Sequence, residues 1–162
     1  MDQYEIETEL ADAGELLASP AAAHLAYVAP DGTPRVVPVG YFWTGDEFVV
    51  STAVTAPKVA ALMARPDVAL TVDAGHTPGQ ARSLSVRGRA DIRIVDGVVE
   101  EYLTAARKGM TGEELAVFER SCRELYDRMA RIAIRPLWVR YYDFGAGRIP
   151  GFLRELADRI GR

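Results

Sequence analysis

From Ser83 to Ile94 the chain alternates without a break: Leu84, Val86, Gly88, Ala90, Ile92 and Ile94 share one parity, and Ser83, Ser85, Arg87, Arg89, Asp91 and Arg93 the other. A period of two marks a strand with one face in a core and one in water. Shorter runs rich in Val and aromatic residues predict strands over Leu25–Val28, Arg35–Phe42, Glu47–Thr52, Val68–Val72 and Ala130–Tyr142. In the last run the apolar parity shifts near Pro136, from Ile132 and Ile134 to Leu137, Val139 and Tyr141, which predicts a bulge. Pro30-Asp31-Gly32-Thr33-Pro34 and Thr44-Gly45-Asp46 are turn sequences, so the first three runs read as consecutive hairpins. Pro38 interrupts the Arg35–Phe42 run. Proline donates no ladder hydrogen bond, so this strand belongs at an edge, at a bulge or where a ligand approaches the backbone.

Helical spacing appears elsewhere. Ile6, Leu10, Ala13 and Leu17 predict an amphipathic helix over residues 3–17, and Pro57–Ala64 reads as a short helix with proline in its first turn. An insertion over 98–127 predicts two helices, Val98–Lys108 stopping at Gly109 and a second opened by Thr111 with Glu114 as a capping box. Leu115, Phe118, Cys122, Leu125 and Met129 form the apolar stripe of that second helix. Phe152–Ile160 predicts a short helix within a tail over 144–162. The sum is a mainly β single domain over 1–162: a six-stranded antiparallel β-barrel built from 24–94 and 130–142, with peripheral helices. Closure is expected because it removes exposed strand edges.

Composition narrows the function. With 162 residues, 49% of them hydrophobic and 26% charged, the chain buries one respectable core. A net charge of −4 argues against nucleic-acid or anionic-membrane partners. The chain has no long apolar run and no basic leader, so a cytoplasmic protein is expected. The single cysteine, Cys122, allows no internal disulfide and reads as a buried core thiol. His24 and His76 lack metal-ligand spacing, so no metal site is expected. G-x-S-x-G, P-loop and G-x-G-x-x-G motifs are missing.

One stretch carries chemistry. After the strand ending at Ser51-Thr52, Thr55 or Ala56 stands where a helix cap belongs, Pro57 suits the first helical position, and Lys58 follows. A helix start offers free N–H groups and partial positive charge to a phosphate, and Lys58 adds a full charge there. Of 19 basic residues only Lys58 and Lys108 are lysines, so a compact ammonium at this point is unusual for the chain. The row Arg87, Arg89, Arg93 reads either as a solvated polar face or as an anion-binding strip.

The order of elements from AHLAYVAPDGTPRVVPVGYFW through DEFVVSTAVTAPKVAALMARPDVALTVD to SLSVRGRADI resembles the pyridoxamine-phosphate-oxidase-like family of FMN-binding split β-barrels, over residues 20–143. The resemblance implies a cofactor lying across Val36, Val37, Pro38, Val39 and Gly40, with its phosphate on Ser51, Thr52, Thr55 and Lys58. Ser83 matches the position where the founding enzyme has a glutamine facing the flavin. By the same resemblance the protein is a homodimer with sites at the subunit interface, and Trp138 or Arg140 reaches the partner's cofactor. Tyr141-Tyr142-Asp143-Phe144-Gly145 occupies the founding enzyme's substrate region without histidine, so pyridoxamine oxidation is not expected. The implied function is oxidation or reduction of a small molecule with FMN, or with the deazaflavin coenzyme F-420 of the shorter relatives. Such cofactors carry hydride chemistry themselves, and no catalytic side chain is assigned. Two alternatives stay open: a non-catalytic flavin or haem binder, and a cofactor-free dimeric split barrel.

Overall fold

In the computed structural model, which describes residues 1–160, the alternating runs become seven antiparallel strands of one sheet. They are β1 (Ala23–Val28), β2 (Pro34–Val39), β3 (Phe42–Trp43), β4 (Phe48–Ala53), β5 (Asp67–Ala74), β6 (Arg82–Asp96) and β7 (Arg128–Asp143), in the order β2-β1-β5-β6-β7-β4-β3. The expected closed, six-stranded barrel is corrected twice. Arg35–Phe42 is not one strand, because at Gly40-Tyr41 the chain leaves its ladder with β1 and starts another with β4. The resulting β2 and β3 are the two edges of the sheet, and no ladder joins them, so the sheet is not closed. Pro38 accordingly lies in an edge strand, where its missing N–H costs no ladder bond.

The sheet nevertheless curls around one interior. Leu25, Phe48, Val50, Leu70, Val72, Leu84, Val86, Ile132 and Ile134 belong to a single buried cluster, with Val37, Val39 and Trp43 packed against it. Three helices complete that cluster rather than decorating it: α1 (Gln3–Asp12), α2 (Gly14–Ala18) and α3 (Pro57–Ala64). The helix expected over 3–17 breaks at Ala13, where the backbone leaves helical geometry, and restarts as α2. Ile6, Leu10, Ala13, Leu16 and Leu17 then enter the core together with Ala61 and Leu62 of α3.

The insertion forms α4 (Glu100–Ala106) and α5 (Gly112–Leu125). Thr111 sits at the N-cap of α5, but its side chain makes no capping bond, so the expected capping box is not formed. Cys122 is buried as expected, whereas Leu125 is 72% exposed and Met129 belongs to β7. The last helix, α6 (Gly151–Ile160), leaves Phe152, Leu156 and Ile160 exposed. Among the described residues no helix is long and apolar enough to cross a membrane.

The parity shift in β7 is a bulge. Arg87 pairs with Trp138 and Gly88 with Pro136, which leaves Leu137 without a partner. Val139 and Tyr141 take up the buried parity, but Leu137, expected to join them, is the extruded residue and stays exposed. Gly88 permits this geometry, since a Cβ there would stand 2.6 Å from the Arg135 carbonyl oxygen and 2.9 Å from Ile134 Cγ2. Overpacking of this kind costs about 1–3 kcal/mol. Gly88→Ala is therefore expected to lower unfolding stability by about 2 kcal/mol in urea denaturation, while Gly79→Ala, with open space around its Cβ, stays near wild type.

Candidate cofactor site

Register places part of the expected site on one surface. Across five strands Val36 pairs with Ala26, Ala26 with Ala69, Ala69 with Arg87, and Arg87 with Trp138. The next row runs Pro38, His24, Thr71, Ser85, Arg140. Alternation puts both rows, and Ser83 beyond them, on the outside of the curled sheet. Val36, Pro38, Ser83, Trp138 and Arg140 thus share one face. Val37 and Val39 point the other way and pack against the core, and Gly40 stands exposed at the break between β2 and β3. The outer face is partly apolar: Val36 is 64% and Leu137 54% exposed, beside Trp138, whose ring carries the Arg87 guanidinium at 4.7 Å.

The two hydroxyls at the end of β4 are separated. Thr52 continues the inward parity of Phe48 and Val50, whereas Ser51 lies on the outward side, opposite Arg131. Ser51 is buried, and its Oγ is the one buried side-chain polar atom with no hydrogen-bond partner among the described residues. Ser51 and Thr52, both expected on one phosphate, thus present their hydroxyls to opposite sides of β4.

Beyond Thr52 a turn closed by the Ala56 N–H on the Ala53 carbonyl delivers the chain into α3. Ala56, rather than Thr55, occupies the N-cap; no side chain caps it, and Pro57 follows in the first turn. Pro57 has no N–H, and the Val59 N–H bonds the Ala56 carbonyl oxygen, so in the first turn the Lys58 N–H is the group left for a ligand or water. Lys58 is half-buried there, and the loss of hydration pushes its ammonium pKa below the ordinary lysine value. Among the described residues it has no carboxylate or hydrogen-bond partner to offset that burial. An unpaired, partly dehydrated cation at an uncapped helix start fits a phosphate.

Arg140 is engaged inside the chain. Its Nη1 donates to Glu9 Oε1 at 3.0 Å, while Glu9 Oε2 accepts the Tyr141 N–H at 2.6 Å and lies 2.7 Å from Arg148 Nη2. Glu9 escaped the sequence reading although a signal existed: it falls three residues after Ile6 and beside Leu10, a charge on the apolar face of its helix. Lys108 was also missed, and it lies against Tyr41 under α2.

A curled, unclosed antiparallel sheet plugged by helices defines a split barrel. The chain belongs to the pyridoxamine 5'-phosphate oxidase family, whose sequence profile matches residues 11–142. A solved F-420 reductase is 30% identical, with a TM-score of 0.59 over 78% of this chain and 94% of that one. A conserved hypothetical protein of Mycobacterium tuberculosis shares the fold at 20% identity and a TM-score of 0.63, covering 93% of this chain and 89% of that one. The haem storage protein HutZ of Vibrio cholerae shares it at 16% identity and a TM-score of 0.58, covering 83% and 94%. No curated protein matches the chain.

Removing one partner of a buried ion pair strands the others, at a cost of about 3–5 kcal/mol when the pair is fully buried. Arg140 and Arg148 are 44% and 33% exposed, which reduces that figure by solvent screening. Glu9→Gln is accordingly expected to lose about 2 kcal/mol of unfolding stability and to speed proteolysis within α1.

Proposed function

We propose that this protein is a homodimeric oxidoreductase that uses FMN, or the deazaflavin coenzyme F-420, to oxidise or reduce a small molecule. The observation that carries the reading is Lys58, half-buried without a partner at the uncapped start of α3. Family membership supports the cofactor class, and the F-420 reductase at 30% identity is the specific reason to keep the deazaflavin beside FMN. When bound, either cofactor supplies the hydride or electron transfer. The chain's own residues bind and orient it.

Thr52, Thr55 and Lys58, through both its ammonium and its backbone N–H, would hold the phosphate through charge-assisted hydrogen bonds. Val36 and Pro38 would support the ring, and the unpaired side of the β2 edge would offer it backbone N–H and C=O groups. The exposed outer face bearing Val36, Leu137 and Trp138 supports a second copy as its cover. In a dimer built on that face Trp138 would approach the partner's site, while Arg140 keeps its bond to Glu9.

Titration of the purified protein with FMN, and separately with coenzyme F-420, followed by absorbance and cofactor fluorescence, tests the reading. One of the two is expected to bind, with Lys58→Ala and Thr52→Ala each weakening it at least about tenfold. Ser51→Ala is expected to leave affinity within about twofold and to raise stability by about 1 kcal/mol, since it removes an unsatisfied buried hydroxyl. The lowered pKa of Lys58 sets the pH dependence. As pH rises through that value the ammonium is lost, so affinity falls, and across that range binding takes up a proton. Binding of neither cofactor, or an affinity untouched by Lys58→Ala, would overturn the proposal.

A further inference from the structure

A cavity of about 630 Å³ lies between α1, α2 and the β3–β4 turn, and none of the residues assigned above to the cofactor lines it. Its walls are apolar, with Leu10, Ala11, Leu17, Phe42 and Trp43 facing inward, and Lys108, from the turn between α4 and α5, supplies the one cation. The size is that of an ordinary small-molecule site, and mostly apolar walls with a few polar groups, here Lys108 and Glu7, are the usual design of one.

Lys108 is oriented but not neutralised. Its Nζ lies 3.7 Å from the centroid of the Tyr41 ring and donates to the Leu17 carbonyl oxygen at 3.3 Å. The Tyr41 hydroxyl donates to the same oxygen at 3.3 Å, so both lone pairs of that carbonyl are used. Burial pushes the Tyr41 pKa up to about 12, so the phenol stays neutral and gives no counter-charge. Lost hydration likewise pulls the Lys108 pKa down. No carboxylate of the described residues forms an ion pair with Lys108, and an ammonium with two of its contacts fixed retains a donor for a ligand.

We propose that this cavity is a second binding site, separate from the cofactor site, for an apolar monocarboxylate whose carboxylate sits on Lys108 and whose hydrocarbon body lies against Leu10, Leu17 and Trp43. A single unit charge calls for a monoanion. Glu7 at the cavity wall disfavours a more highly charged head such as a phosphate dianion.

The test needs no flavin. In a Trp138→Phe background Trp43 is the only tryptophan, and its emission reports on the cavity during titration with octanoate and with octanol. Octanoate is expected to shift that emission and to bind at least about tenfold more tightly than octanol; Lys108→Met should erase the difference. Ala11→Phe, which fills the cavity from the exposed wall of α1 and leaves Lys108 in place, should abolish both signals. The second variant also decides the matter if Lys108→Met fails to fold. Equal affinity for acid and alcohol, discrimination that survives Lys108→Met, binding indifferent to Ala11→Phe, or no binding of either probe would each overturn the proposal.

Discussion

A carboxylate buried to 7% exposure costs several kcal/mol unless it is paired and hydrogen-bonded, and Glu9 is held by three donors at once. The location explains the need. β4 pairs with β7 only from Met129 to Ile134, so the remainder of that β7 edge would face solvent or core with unsatisfied backbone groups. α1 covers the gap, and Glu9 accepts the Tyr141 N–H that a neighbouring strand would otherwise have taken. The two arginines, Arg140 and Arg148, then make the carboxylate tolerable in the interior, and Arg148 also reaches Asp12 at the end of α1.

Much of the remaining architecture follows from that attachment. With α1 fixed along β7, Leu10, Ala13, Leu16 and Leu17 fill the mouth of the curled sheet. Leu17 in turn offers its carbonyl oxygen to Tyr41, the residue at which the chain passes from β2 to β3. A sheet plugged by helices does not need to close, and an unclosed sheet keeps the β2 edge free. The proposed cofactor strand, β2, therefore keeps one side unpaired.

The sequence was most legible where a single period runs uninterrupted. The alternation of Ser83–Ile94 became the centre of β6, and Pro57–Ala64 became α3 with the expected bounds, because proline and the preceding turn leave little freedom at that helix start. The parity shift at Pro136 was a true bulge, but which residue it extrudes depends on the close approach of Gly88 to Arg135, and no local pattern encodes that contact. Likewise the division of Arg35–Phe42 leaves its alternation intact and changes only the hydrogen-bonding partner, a matter of distant strands. In the candidate site, the outer-face grouping of Val36, Pro38, Ser83, Trp138 and Arg140 follows from parity once register is known. The opposite facing of Ser51 and Thr52 was readable from parity alone, whereas the engagement of Arg140 by Glu9 spans 131 residues and was not.

As proposed above, the start of α3 would anchor a ring cofactor, FMN or F-420, by its phosphate. Comparing whichever cofactor binds with its phosphate-free counterpart, riboflavin for FMN or the deazariboflavin core for F-420, isolates that anchor in the wild-type protein and in Lys58→Ala. The phosphorylated cofactor is expected to bind the wild type at least about 100-fold more tightly than its counterpart, and Lys58→Ala to remove most of this gap while leaving the counterpart's affinity unchanged. Equal affinity for the pair, or a gap that persists in the variant, would contradict that anchor.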